Sequence, residues 1–243
     1  MGPLAICCSK KKMTNIPEKV LPIYRRLAKR YKLDFENVTI RGRRFSFLHL
    51  QDIEPLIAGK DIFAHSDEFP FWVKIWESSV ILADFMASME PDPQRRILEL
   101  GAGLGVTGIV AACFGHKVLL TDYQDEILDF ERVSAALNKC DQNTDFSRLD
   151  WLNPAELGSF DMIVGSEILF HPKFFEPLLR VFKKYLAQNG VIYMAHDVRR
   201  KSLAQFLPLC EKEYDIAMQK RVLRAEDETV EVLLTRLVPK KAE

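Results

Sequence analysis

The stretch Arg96-Ile-Leu-Glu-Leu-Gly-Ala-Gly-Leu-Gly-Val-Thr-Gly108 constrains this chain more than any other. A short apolar run ends near Leu100, glycines follow at 101, 103 and 105, and a helical pattern begins within a few residues. Short unalternating apolar runs are expected of strands buried on both faces. Glycine admits positive φ and close backbone approach, so the stretch predicts a tight turn from a buried strand into a helix. Apolar runs at 117–121, 161–165 and 191–195 repeat the theme, and Phe146–Asp150 supplies a further strand. Helical segments near 105–114, 124–138, 173–188 and 199–212 separate them. Strands alternating with helices imply a parallel sheet with right-handed crossovers. The end differs: extended stretches at 214–223 and 229–238 are joined only by Ala225-Glu226-Asp227-Glu228, which favours an antiparallel hairpin. The expected fold class is α/β, a doubly wound, mostly parallel seven-stranded sheet closed by a C-terminal hairpin.

The 70 residues before this core read differently. Val20, Ile23, Leu27 and Tyr31 recur at three- and four-residue steps, predicting an amphipathic helix over 16–32 whose other face carries Arg25, Arg26, Lys29 and Arg30. Val38 to Leu50 suggests strands around a turn at Arg41-Gly42-Arg43. Residues 55–75 are irregular, and a helix runs from about Trp76 to Met89, stopping before Pro91. The 34 basic and 34 acidic residues cancel, but not locally. Residues 1–50 hold 12 basic and 3 acidic side chains, leaving 22 and 31 for the remainder. The expected organisation is a loose tail over 1–15, a basic extension over 16–70 and the main domain over 71–243. Cys7-Cys8 beside Lys10-Lys11-Lys12 has the composition of an acylated, polybasic anchor; it is read here as part of the tail. No apolar run approaches the roughly 18–20 residues of a membrane span. Five cysteines without metal-ligand spacing fit free thiols in a reducing cytoplasm.

The glycine loop lies at the carboxyl end of a parallel strand, where doubly wound sheets bind ligands. Gly103-Leu-Gly105-Val-Thr-Gly108 also fits the dinucleotide spacing, so the loop alone leaves two ligand classes open. Asp122 ends the next strand, 21 residues after Gly101, where a carboxylate accepts both ribose hydroxyls of either class. Glu99, inside the first strand, is placed to orient the loop or a cationic ligand. A pyrophosphate prefers a helix N-terminus free of added negative charge. Glu99 therefore suits the sulfonium and ammonium of S-adenosylmethionine better than NAD.

At these residues the sequence resembles the class I S-adenosylmethionine-dependent methyltransferases. More narrowly it resembles methyltransferase family 16, protein-lysine methyltransferases that modify chaperones, elongation factors and the electron-transfer flavoprotein. The likeness covers about Phe71 to Val198. It implies a Rossmann-like fold, S-adenosylmethionine as cofactor and lysine of a protein as acceptor. Trp76 resembles the tryptophan that opens the family's cofactor pocket, and Leu98–Gly108 its first motif. Thr121-Asp122-Tyr123 resembles the ribose-binding strand end, and Asp150-Trp151 the pair flanking adenine. Phe160-Asp-Met-Ile-Val-Gly-Ser166-Glu-Ile-Leu-Phe170 resembles the fourth strand with its site motif. The family pattern there is aspartate, two residues, tyrosine; this chain has Glu167 and Phe170, a carboxylate one methylene longer and no phenol.

A lysine acceptor must lose a proton before it can attack. Glu167 is placed to hold the amine and help strip that proton through water, with Phe170 and Trp151 walling the pocket. The competing role for Glu167 is a brace that accepts hydrogen bonds from loop amides. His171 and His196-Asp197 are weaker candidates beside it. The expected partner is a protein substrate, steered by the basic extension if acidic; nucleic acid, membrane and metal are not expected, and the state expected is a cytoplasmic monomer. Alternatives on the same scaffold are a small-molecule or other side-chain methyltransferase and a non-catalytic cofactor-binding protein.

Overall fold

The computed structural model describes residues 5–7, 16–57, 70–224 and 229–241 of the 243. The first elements are β1 (Ala5–Cys7), α1 (Leu21–Ala28), β2 (Leu33–Ile40), β3 (Arg43–Leu50) and the single turn α2 (Glu54–Ile57). β1, β2 and β3 form a small antiparallel sheet in that order. The β2–β3 turn is Arg41-Gly42, both with positive φ (50° and 76°), the signature of a tight hairpin turn whose twist matches its strands. β1 falls within the stretch read as a loose tail. Cys8 and Lys10–Lys12, four of the five residues of the anchor-like composition, lie outside the described residues.

The remaining elements are α3 (Glu77–Ala87), β4 (Arg96–Leu100), α4 (Val106–Cys113), β5 (Lys117–Asp122), α5 (Asp125–Leu137), β6 (Thr144–Arg148), β7 (Phe160–Ser166), α6 (Phe175–Tyr185), β8 (Leu186–Asp197), α7 (Lys201–Cys210), β9 (Tyr214–Arg224) and β10 (Thr229–Pro239). The strands make one seven-stranded sheet in the order β6-β5-β4-β7-β8-β10-β9. β6, β5, β4, β7 and β8 are parallel neighbours, and β10 runs antiparallel to both β8 and β9. Strand order therefore reverses at β4, with β5 and β6 on one side and β7 and β8 on the other. The crevice at that reversal, outside the strands' carboxyl ends, is where such sheets take ligands. β4 is buried from Ile97 to Leu100 because helices cover both faces, which is why its sequence does not alternate.

The N-terminal extension docks on α5. Asn138, just past that helix, accepts from Ser46 N (3.0 Å) and donates to Ser46 O (2.8 Å), so its amide continues the β3 edge. Ser134 Oγ accepts from Leu48 N (3.0 Å). Arg26 pairs with Asp129 (2.5 Å), Arg30 with Glu126 (2.7 Å), and Lys19 with Asp141. Part of the positive front of the chain thus faces the negative remainder inside one molecule. Replacing Asn138 by Ala strands both Ser46 backbone groups. Two lost bonds at this half-buried edge should destabilise the fold by about 2 kcal/mol, lowering the melting temperature by roughly 4–8 °C. A calorimetric shift under a degree would show that the Asn138 amide contributes little to holding the extension.

Candidate active site

Three glycines shape the turn beneath the crevice. Gly101, Gly103 and Gly105 have φ of +59°, +59° and +76°, a region other residues enter only with strain. The backbone they form is stitched to the neighbouring strand. Ala102 N donates to Thr121 O (3.0 Å), Gly103 N to Asp122 Oδ2 (2.9 Å), and Thr121 Oγ1 to Glu99 O (2.6 Å). Asp122 Oδ1 accepts from Tyr123 N (2.7 Å). Each Asp122 oxygen keeps a second lone pair, and the residue lines the crevice. Burial pushes its carboxyl up to about 6, against the pull of the two N–H donors.

The crevice is a cleft of about 660 Å³. Gly101, Gly103 and Asp122 line it, as do Tyr123, Asp150 and Trp151. Trp76, Ser166, Glu167 and Phe170 complete the expected residues found there. A Cβ at Gly101 would lie 3.3 Å from the Trp151 ring and 3.4 Å from Ile168, so glycine there lets the indole pack against the loop at the cleft wall. Asp150 is held by its own turn, accepting from Leu152 N (2.9 Å). A strand-end carboxylate, side-chain-free backbone and flanking indole are the donor set a purine nucleoside requires, so the residues present fit S-adenosylmethionine.

Two expected cofactor contacts fall elsewhere. Glu99 is buried behind the loop and absent from the cleft wall; its Oε2 accepts from Gly108 N (2.8 Å). It takes the loop-orienting role of the two its position allowed, because the side chain leaves β4 on the face that α4 covers. Burial pushes it up to about 8. Gly105 is a packing glycine, since a Cβ there would lie 2.8 Å from Ile109 Cδ1.

The site motif leaves β7 through a strained residue. Glu167 has φ +53° without being glycine, held by its N–H donating to Ala195 O (3.0 Å). Strain of this kind persists where surroundings over-determine it. Its Oε1 accepts from Asp197 N (2.8 Å), and Oε2 faces Arg200 Nε at 3.1 Å. Glu167 also borders a second, smaller pocket of about 70 Å³ together with Ser78, Asp197 and Arg200. Burial raises its pKa, opposed by the Asp197 N–H and the Arg200 cation. Phe170 belongs to an aromatic wall, with ring centroids 5.9 Å from Phe71, 6.3 Å from Trp151 and 4.9 Å from Phe174. Trp76 leans on Phe71 (6.3 Å) and donates its indole N–H to Phe71 O (2.8 Å).

Sequence reasoning missed Phe71, Trp72 and Phe174. Pro70 leads into a single tight turn over Phe71–Val73, and Trp72 packs on Phe130 (5.1 Å) above Gly103. His171 marks a turn, its Nδ1 accepting from Lys173 N (3.1 Å). His196 is buried and pushed down to about 3, hence neutral, while its neighbour Asp197 lines the small pocket. Among the described residues no cluster of metal-ligating side chains occurs, and no helix is long and apolar enough to cross a membrane.

Beneath the loop sits a further carboxyl, Glu131 on α5, buried with neither oxygen hydrogen-bonded. Burial, with Asp122 and Glu99 nearby, raises its pKa well above the ordinary range. An acid whose folded pKa is raised contributes stability fully present below its unfolded value near 4.3 and lost as pH rises through the folded value. Glu131→Gln is therefore expected to match the parent near pH 4 and to melt progressively higher as pH rises to 8. A difference independent of pH would show that Glu131 does not titrate within the fold.

Residues 68–213 match the sequence profile described as lysine methyltransferase. Protein N-lysine methyltransferase METTL21A of Xenopus tropicalis is 28% identical over 148 residues, covering 59% of this chain and 68% of that protein. Histone-arginine methyltransferase METTL23 of Mus musculus is 33% identical over 122 residues, covering 47% of this chain and 48% of its own. In structure, P. horikoshii TYW2 in complex with MeSAdo superposes with a TM-score of 0.54 at 14% identity, covering 85% of this chain and 72% of that one; at this identity the likeness concerns the fold. With the profile spanning more than half of its length, the chain belongs to the lysine methyltransferase family.

Proposed function

We propose that the protein transfers a methyl group from S-adenosylmethionine to the side-chain amine of lysine in a protein substrate. The observation that carries this reading is the Glu167 carboxylate, partly buried at the junction of the nucleoside-fitting cleft and the small pocket. Bound S-adenosylmethionine supplies an electrophilic methyl carbon on a positively charged sulfur. Asp122 would hold the ribose hydroxyls through its remaining lone pairs, and Asp150 and Trp151, which line the same cleft, would flank the base. The amine enters beside Glu167, which orients its lone pair and accepts, through water, the proton that leaves Nζ. Phe71, Phe170 and Phe174 keep bulk water from the reacting groups, so alignment supplies much of the acceleration. Phe170 has no hydroxyl to bond the amine, which leaves Glu167 as the polar group of the motif.

Lysine is preferred over arginine on the family profile and on the likeness to METTL21A. The deciding experiment incubates extract of the source cells with radiolabelled S-adenosylmethionine and the protein, followed by gel separation and hydrolysis of labelled bands. A protein band yielding methyl-lysine supports the reading. Label confined to small molecules, or recovered as methyl-arginine, overturns it. Asp122→Ala should remove the band and weaken S-adenosylhomocysteine binding at least about tenfold, as expected for losing hydrogen bonds to a charged group. Unchanged affinity by calorimetry would displace Asp122 from the nucleoside site.

A further inference from the structure

The small pocket beside Glu167 is ringed by three ion pairs: Lys74–Glu77 (3.4 Å), Arg199–Asp197 (2.5 Å) and Arg200–Glu167 (3.1 Å). In each pair the carboxylate is the buried member. The side chains of Glu77, Asp197 and Glu167 are 16%, 17% and 10% exposed, against 56%, 72% and 34% for Lys74, Arg199 and Arg200. The acids therefore face inward, and what the rim presents outward is positive. Trp76 fixes two of these cations, with Lys74 Nζ 5.0 Å and Arg200 Cζ 5.5 Å from its ring centre. Arg200 thus occupies both groups that would receive an incoming alkylammonium, a carboxylate and an aromatic face.

We infer that this rim reads carboxylates flanking the acceptor lysine, and that Arg200 passes from Glu167 to such a carboxylate as the substrate docks, freeing Glu167 Oε2 for the amine. The inference rests on the protein-lysine reading and deepens it to a substrate class, lysine beside Asp or Glu in an exposed segment. A lysine without acidic neighbours would bring a second cation against Arg200 and offer it no replacement partner. Leaving a charge unpaired at a part-buried site is unfavourable, so such a segment is disfavoured by repulsion as well as by missing contacts. The groups facing Glu167 are Ser78 from α3, Asp197 from the end of β8 and Arg200 just before α7, with Lys74, Glu77 and Arg199 around the same pocket. The basic face of α1 lies apart from this rim: Arg26 and Arg30 face α5.

The probes are three synthetic peptides with a central lysine between two glutamates, two glutamines or two arginines. Each is titrated by fluorescence anisotropy against the full chain saturated with S-adenosylhomocysteine. At about 50 mM salt the glutamate peptide should bind at least about tenfold tighter than the glutamine peptide, a gap that shrinks near 500 mM, with the arginine peptide weakest. Arg200→Gln should reduce the glutamate-to-glutamine ratio to about twofold, and Arg200→Lys should restore most of it. Calorimetric affinity for S-adenosylhomocysteine reports that each variant is folded. Equal affinity for the three peptides, binding of none, or an unchanged ratio in folded Arg200→Gln overturns the inference. If the ratio behaves as stated while no protein in an extract takes label, the docking rim stands and the transfer reading fails.

Discussion

Glu167→Gln is expected to lower the rate of methyl transfer by about 10²–10³, the lower part of the roughly 10²–10⁴ that a positioned acid or base contributes. S-adenosylhomocysteine affinity should stay within about threefold of the parent. The amide keeps the size of the side chain, and its oxygen can still accept from Asp197 N, which Glu167 Oε1 does at 2.8 Å. What it loses is the charge that faces Arg200 and, in the proposed reaction, the group that takes the proton from the amine. Single-turnover label incorporation into the substrate band measures the effect. The pH dependence gives a second reading. Burial raises the Glu167 pKa, so in the parent the rate should climb with pH through a limb above the usual carboxylate range, and Glu167→Gln should lack that limb. A rate within threefold of the parent would reduce Glu167 to a brace for the end of β8.

The parts of this molecule that were legible in the sequence are those where local pattern and burial coincide. β4 begins and ends where its apolar run does, at Arg96 and Leu100, because both faces are covered and the glycine turn fixes its end. The hairpin turn at Arg41-Gly42 and the pair β9–β10 were visible for similar reasons. The helix expected over 16–32 is shorter, Leu21–Ala28. Tyr31 kept the apolar period alive past its end because it packs on Phe130 (6.4 Å), not because it is helical. Likewise α6 stops at Tyr185, and Leu186 already pairs with Phe160 as strand, although the apolar pattern runs on.

Side-chain direction was harder to read than position. Glu99 has the right place in the strand for a ligand contact, yet whether it meets ligand or helix depends on what α4 brings to that face. Phe71 and Trp72 lie in a stretch without period, and only the tertiary fold turns them over the loop. Arg200 carried no signal at all, since its importance comes from facing Glu167 across two strand ends. For Glu131 the signal existed. Ile127, Glu131, Ser134 and Asn138 fall on one helix stripe, and Ile127, Glu131 and Ser134 on it are buried; an acid on that line points inward.

Gly108→Ala should be the most destabilising single methyl in the glycine motif. Gly108 is helical and its φ is unremarkable, so backbone freedom is not the reason for glycine there; alanine would even favour the helix by about 1 kcal/mol. The obstacle is space. A Cβ at 108 would overlap Glu99 Oε2 and lie 2.9 Å from Leu120 Cγ. Glu99 stands this close because it accepts from Gly108 N at 2.8 Å, and it has no room to retreat in a fully buried position. Overpacking together with displacement of that hydrogen bond should lower stability by about 3 kcal/mol net of the helix gain, roughly 6–12 °C in melting temperature. The carboxyl is the rigid half of the clash, so trimming it should help. Glu99→Ala alone leaves Gly108 N unsatisfied and is destabilising, but combined with Gly108→Ala it opens the volume the new methyl needs. The double variant should therefore melt above the sum of the two single effects, with a coupling of about 1–2 kcal/mol in the range found for contacting residues. Strict additivity in urea titrations would mean that Leu120, not Glu99, excludes a side chain at 108. The reason for glycine would then lie in the packing of β5 against α4 and not in the buried carboxyl beneath the loop.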